Sequence, residues 1–116
     1  MILIDSDKVY KQFKSDGFAV LFIHAEWSEP SRIGKVMIEF FEKYAVMSEQ
    51  NITFYYGSFE NELIHLAQDL AELEVPSTAF SGNGSVVLFK QGSFAGYIPS
   101  IIGHGNNELL KLMKLG

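Results

Sequence analysis

The stretch Phe18-Ala19-Val20-Leu21-Phe22-Ile23 constrains this chain most. Its apolar residues run continuously instead of alternating, so a strand here must be covered on both faces. A sheet sandwiched between helices meets that requirement, and the neighbouring sequence supplies the helices. Ile2 to Ile4 reads as a short strand. Asp5 or Ser6 then offers a side-chain oxygen to the free amides of a helix running to about Ser15, with Val9, Tyr10 and Phe13 on one face and Gly17 beyond its end. From Ser31 to Met47, the residues Ile33, Val36, Met37, Phe40, Phe41, Tyr44 and Met47 recur at helical spacing, which predicts a long amphipathic helix with these side chains turned to the core. Gly34 costs that helix about 1 kcal/mol relative to alanine, which a close approach to the sheet would explain.

The β-branched and aromatic run Ile52 to Tyr56 predicts a third strand. A helix is expected from about Glu60 to Leu73, burying Leu63, Leu66, Ala67, Leu70 and Leu73. Ser77 to Phe80 reads as a strand, Gly82-Asn83-Gly84 as a hairpin turn, Val86 to Lys90 as the returning strand, and Gln91-Gly92 as another turn. Phe94 to Ile102 suggests one more strand, irregular because of Gly96 and Pro99. Asn106 or Asn107 would cap a terminal helix carrying Leu109, Leu110, Leu112 and Met113. No linker or repeat interrupts the order, so residues 1–116 are expected to form a single α/β domain, a three-layer α/β/α sandwich around a mixed parallel and antiparallel sheet.

Composition narrows the chemistry. The 116 residues include no cysteine, which removes disulfides, thiolate metal sites and a cysteine nucleophile. Nine Lys and Arg against fourteen Asp and Glu give a net charge of −5, a poor footprint for nucleic acid or an anionic membrane. The start, Met1-Ile2-Leu3-Ile4-Asp5, lacks the basic end and apolar run of a signal peptide, and no window approaches the roughly 18 apolar residues of a membrane span. A cytoplasmic protein with no membrane partner is the expectation. His24, His65 and His104 have no metal-ligand spacing, so neither a metal nor another cofactor is expected.

The segment Ala25-Glu26-Trp27-Ser28-Glu29-Pro30-Ser31 stands where the buried strand runs out and the long helix begins. It resembles the active-site segment of the thioredoxin family, Ala-Glu-Trp-Cys-Gly-Pro-Cys, with serine for both cysteines and glutamate for glycine. The order of elements resembles that family over nearly the whole chain. Val75-Pro76-Ser77 is similar to its Ile-Pro-Thr, whose cis-proline faces the redox pair, and Val86-Val87-Leu88-Phe89-Lys90-Gln91-Gly92 is similar to its Leu-Leu-Leu-Phe-Lys-Asn-Gly. The resemblance implies a thioredoxin-like fold. It leaves two placements for the family proline. Aligning on Val75-Pro76 gives Pro76, the preferred reading; aligning on the Val86 strand sets Gly84 opposite it. Without the family's geometry, Pro76 reads as a trans-proline that ends the preceding helix.

Cysteine suits that family's site because a helix N-terminus stabilises the first thiolate and the second thiol lies one turn away to resolve the mixed disulfide. Serine has no such chemistry. Ser28 and Ser31 are therefore degenerate redox positions with no catalytic role as written, and Ser28 is expected to cap the helix, with Glu29 favouring its positive end and Pro30 tolerated in its first turn. The family's buried relay aspartate would fall at Phe22, and its lysine partner is missing from Ile52 to Tyr56.

The resemblance implies a surface of Trp27, Glu29, Pro30, Val75 and Pro76 that binds an extended peptide or protein client, an adapter without redox activity. Trp27 is read as its exposed anchor or as a ring packed on the helix. The remaining aromatics, including Tyr55, Tyr56, Phe40 and Phe41, are read as core. The alternative is a thiol–disulfide oxidoreductase of redox homeostasis whose cysteines at positions 28 and 31 have been changed to serine. A third reading makes Ser28 a hydrolytic nucleophile with His24 as its base, against which stands the absence of a Gly-x-Ser-x-Gly elbow; His24 is otherwise a structural residue.

Overall fold

A computed structural model of the protein describes residues 1–47, 51–102 and 111. Among the described residues, five strands and three α-helices follow in the order β1 (Ile2–Leu3), α1 (Asp7–Ser15), β2 (Phe18–His24), α2 (Glu29–Met47), β3 (Thr53–Ser58), α3 (Ala67–Glu72), β4 (Ser85–Lys90) and β5 (Ser93–Ile98). The sheet order is β1-β3-β2-β4-β5, with β1, β3 and β2 parallel and β4 and β5 antiparallel. The expected α/β sandwich with a mixed sheet is thus the observed architecture. The terminal helix expected from Asn106 or Asn107, and His104, lie outside the described residues.

β2 is the central strand, and all its residues from Phe18 to Ile23 are buried. Ala19, Leu21 and Ile23 face one core layer with Tyr10 and Phe13 of α1, Tyr55, Leu63, Leu70, Val87 and Phe89. Phe18, Val20 and Phe22 face the other, with Ile38 and Phe41 of α2, Phe54, Val86, Leu88 and Ile101. Phe13 locks the first layer, edge-on to Tyr55 and Phe89 at centroid distances of 5.3 and 4.9 Å. The Tyr55 hydroxyl donates to the Asp16 carboxylate, and burial with that carboxylate pushes the phenol far above its ordinary pKa, so it remains a donor. Ser6 caps α1, accepting from Val9 N at 3.3 Å.

Three elements depart from the sequence reading. The face of α2 is rotated: Ser31, Gly34, Ile38 and Phe41 are buried, whereas Ile33, Val36 and Phe40 are exposed. Small residues at 31 and 34 let the helix sit close to the sheet, and a Cβ on Gly34 would lie 2.7 Å from Ile101 Cγ2. The expected helix from Glu60 to Leu73 is split into a 3₁₀ turn, Glu62–Leu66, and the short α3, leaving Ala67 exposed. Ser77–Phe80 is a 3₁₀ turn instead of a strand, so Gly82-Asn83-Gly84 is a connection into β4 and not a hairpin. The hairpin joins β4 to β5 at Gln91 and Gly92, whose φ values of 52° and 79° suit a two-residue turn.

The tight seat of α2 is testable. Gly34→Val forces side-chain volume against Ile101 and Phe22 and should lower unfolding stability by about 1–3 kcal/mol in urea titrations; an unchanged midpoint would mean that the helix does not approach the sheet so closely.

Candidate functional site

Parallel pairing of β2 with β3 extends to the pair His24–Ser58, after which Phe59 N donates to His24 O at 3.1 Å. Beyond the ladder the chain must turn into α2 with its backbone groups buried. Ala25 N donates to Ser31 Oγ at 2.7 Å, and Ser28 N donates to Ala25 O at 3.1 Å. Ser28 caps the helix as expected: its Oγ accepts from Ser31 N at 3.4 Å, and its carbonyl accepts from Arg32 N at 3.1 Å. The same Oγ donates to Gly82 O at 2.5 Å. Ser28 is 5% exposed and Ser31 fully buried. Glu29 and Pro30 occupy the exposed first turn, where a carboxylate complements the free amides and a missing N–H costs nothing.

His24 Nδ1 lies 3.0 Å from Ser31 Oγ. That hydroxyl already accepts from Ala25 N, so its proton is free for Nδ1, and the neutral imidazole fits the pair. Desolvation first, and Lys35 second, push the His24 pKa below its ordinary value against the opposing pull of Glu26, Glu60 and Glu62. The histidine therefore pairs with Ser31 and not with Ser28. A serine nucleophile would have to work through a hydroxyl with no exposure, and the structure gives that reading no support.

Trp27 is 65% exposed and meets Phe59 edge-on at 6.4 Å. Its ring edge crosses Gly82, where a Cβ would lie 2.7 Å from Trp27 Cη2, and the φ of 84° there also favours glycine. Gly84, φ 72°, closes on the first turn of α2, where a Cβ would stand 3.3 Å from Pro30 O and 3.4 Å from Ser31 Cα. The loop residues against the motif are thus Gly82 and Gly84. Val75-Pro76, assigned to this place from sequence, is a trans peptide. Val75 is buried in the core layer shared with α1, its N–H donating to Leu70 O, and Pro76 starts the Ser77–Phe80 turn. The register of β4, with Ser85 opposite Ile23, sets Gly84 at the position facing the serines. The second alignment from sequence, on the Val86 strand, gave Gly84 this place; the preferred one, on Val75-Pro76, did not.

Asn83 is exposed between the two buried glycines. Its Nδ2 donates to Ser81 Oγ, whereas its backbone N–H and C=O have no hydrogen-bond partner among the described residues. The rim is acidic. Glu60 Oε1 accepts from Glu26 N at 3.0 Å and from Ser58 Oγ at 2.6 Å, and Glu62 Oε2 accepts from Ser58 N at 3.2 Å. The Ser58 hydroxyl, more than the Glu26 amide, holds the Glu60 pKa below the usual carboxylate range. Behind the motif Phe22 is fully buried and in register with Tyr56. Among the described residues no three His, Asp or Glu side chains converge to hold a metal, and no helix is long and apolar enough to cross a membrane.

Two outcomes follow from this geometry. Ser31→Ala orphans the buried Ala25 amide and should cost about 1–3 kcal/mol of stability, read by denaturant unfolding; a neutral effect would remove Ser31 from the junction. Because the folded state disfavours His24 protonation, stability should be fully present above about pH 6.5 and decline as pH falls through the folded-state pKa. His24→Gln should flatten that slope, and an NMR titration placing the His24 pKa above the free value would contradict the assignment.

No family model matches the chain, and no curated protein matches it in sequence. Comparison with solved structures does find relatives of shape. Mitochondrial thioredoxin 3 of Saccharomyces cerevisiae aligns with TM-score 0.70 at 17% identity, over 100% of this chain and 95% of that one. Thioredoxin f2 of Chlamydomonas reinhardtii gives 0.72 at 11% identity, over 99% and 94%, and Fasciola hepatica thioredoxin 0.68 at 14%, over 96% and 97%. Identities this low speak for architecture alone: the chain has the thioredoxin fold, with Ser28 and Ser31 in the cysteine-free segment at the end of its central strand.

Proposed function

We propose that this protein is a redox-inactive binding module that takes an extended segment of another polypeptide alongside Trp27 and the backbone of Asn83. The observation that carries the reading is their adjacency: a two-thirds-exposed indole next to a loop residue whose N–H and C=O are unpartnered among the described residues, flanked by Gly82 against the Trp27 ring and Gly84 against α2. An extended peptide satisfies such backbone groups by strand-like pairing, and an aromatic beside them supplies the apolar contact. Glu26 and Glu29, exposed on either side of Trp27 in sequence, and Glu60, which holds the Glu26 amide, favour a segment bearing Lys or Arg, in keeping with the net charge of −5. Val75 and Pro76 are replaced in this site by Gly82, Asn83 and Gly84.

The oxidoreductase with altered cysteines is the weaker reading. Changing two cysteines to serine accounts for positions 28 and 31, and leaves Phe22 and Gly84 unexplained.

Trp27 is the chain's single tryptophan, so its emission reports this site alone. Titration with extended Lys/Arg-containing peptides should shift that emission saturably, more weakly at high salt. Labelled-peptide anisotropy should show a loss of affinity on the order of thirtyfold in Trp27→Ala. Peptides of any charge leaving the emission unchanged would refute the proposal.

A further inference from the structure

We propose that the solvent side of α2 is a self-association face, on which two copies of this chain pair with their α2 helices antiparallel to form a weak dimer. Glu29, Ile33, Val36, Phe40 and Lys43 follow one another at intervals of four, three, four and three residues. That 3.5-residue repeat keeps a stripe facing a neighbouring helix over its whole length, here about 21 Å. Nothing among the described residues covers the stripe: Ile33 is 47% exposed and Val36 and Phe40 each 69%. These are three of the seven large apolar side chains exposed among the described residues. The opposite side of α2, through Ile38 and Phe41, already fills the core, so the helix has two apolar faces and the fold uses one. Phe40 stands edge-on to the buried Phe41 at 6.2 Å, a contact that holds the exposed ring in place.

Charge selects the occupant. The stripe begins at exposed Glu29 and ends at exposed Lys43. Antiparallel pairing of two copies sets each Glu29 end beside the partner's lysine-bearing end, whereas parallel pairing sets like on like. A two-fold axis makes both ends equivalent, as a closed dimer requires. Three apolar side chains bury far less than the roughly 800 Å² per partner of a standard interface, so the dimer belongs to the weak class.

Sedimentation velocity from micromolar to millimolar protein tests this. The expected result is a concentration-dependent monomer–dimer equilibrium that Phe40→Glu and Val36→Glu each abolish while leaving the melting temperature unchanged. Lys43→Glu should weaken the dimer by about threefold or more, and Glu29→Lys combined with Lys43→Glu should restore it. A chain monomeric throughout overturns the proposal, as does a dimer indifferent to Phe40→Glu. Insensitivity to Lys43→Glu excludes the antiparallel arrangement. A melting temperature several degrees lower in both Phe40→Glu and Val36→Glu would also overturn it, because the stripe would then be covered within the chain, for which residues 103–116 have the apolar side chains.

Discussion

The structure depends on one strand that water never reaches. β2 is paired on both edges and covered on both faces from Phe18 to Ile23, and its alternate residues set the two core layers. Such a strand can stop only where other groups take over its hydrogen bonds. At its C-terminal end Phe59 N serves His24 O, and Ser31 Oγ serves Ala25 N. The turn that follows puts Trp27 in solvent and the first turn of α2 against the loop before β4. Ligand sites in open α/β sheets lie beyond the carboxyl ends of the strands, where here the backbone has left the ladder.

At that junction the two serines act as connectors. Ser31 ties the end of β2 to the third residue of α2 and to His24; Ser28 ties the helix cap to Gly82. A hydroxyl donates and accepts strongly at these short distances, and a thiol does both weakly. The hydrogen bonds at 2.5 and 2.7 Å are of oxygen length. With Phe22 buried behind them, the surroundings are apolar where a proton relay would need a carboxylate. The surface at this junction is an indole, the Asn83 backbone, unpaired among the described residues, and an acidic rim.

The central strand, the motif at its end and the sheet class were legible because burial imposes a pattern that few other arrangements satisfy. The face of α2 was not. Apolar residues cover so much of that helix that periodicity alone cannot choose between the stripe of Ile33, Val36 and Phe40 and the one through Ile38 and Phe41; the small residues Ser31 and Gly34 decide it by permitting close approach. The loop facing the motif had two placements from sequence, and the preferred one, on Val75-Pro76, failed for a related reason. A Val-Pro pair resembles the family's proline locally, whereas the position opposite the serines is fixed by strand register, a long-range property absent from any short segment. Gly84 occupies it through a positive φ and lack of side chain, and the same two features make a glycine read as a turn. Residues 60–73 break into a 3₁₀ turn and a short helix for which the leucine spacing gave no sign.

The most direct test of the claim that this site has left redox chemistry is to rebuild the missing pair. Ser28→Cys with Ser31→Cys places two thiols at the helix N-terminus, and insulin reduction with dithiothreitol reads their turnover. With Phe22 behind the pair and Gly84 facing it, the double variant should form its disulfide and yet catalyse insulin reduction little above the uncatalysed rate. Turnover approaching that of a thioredoxin assayed alongside would contradict the account and restore the reading of an oxidoreductase stripped of its cysteines.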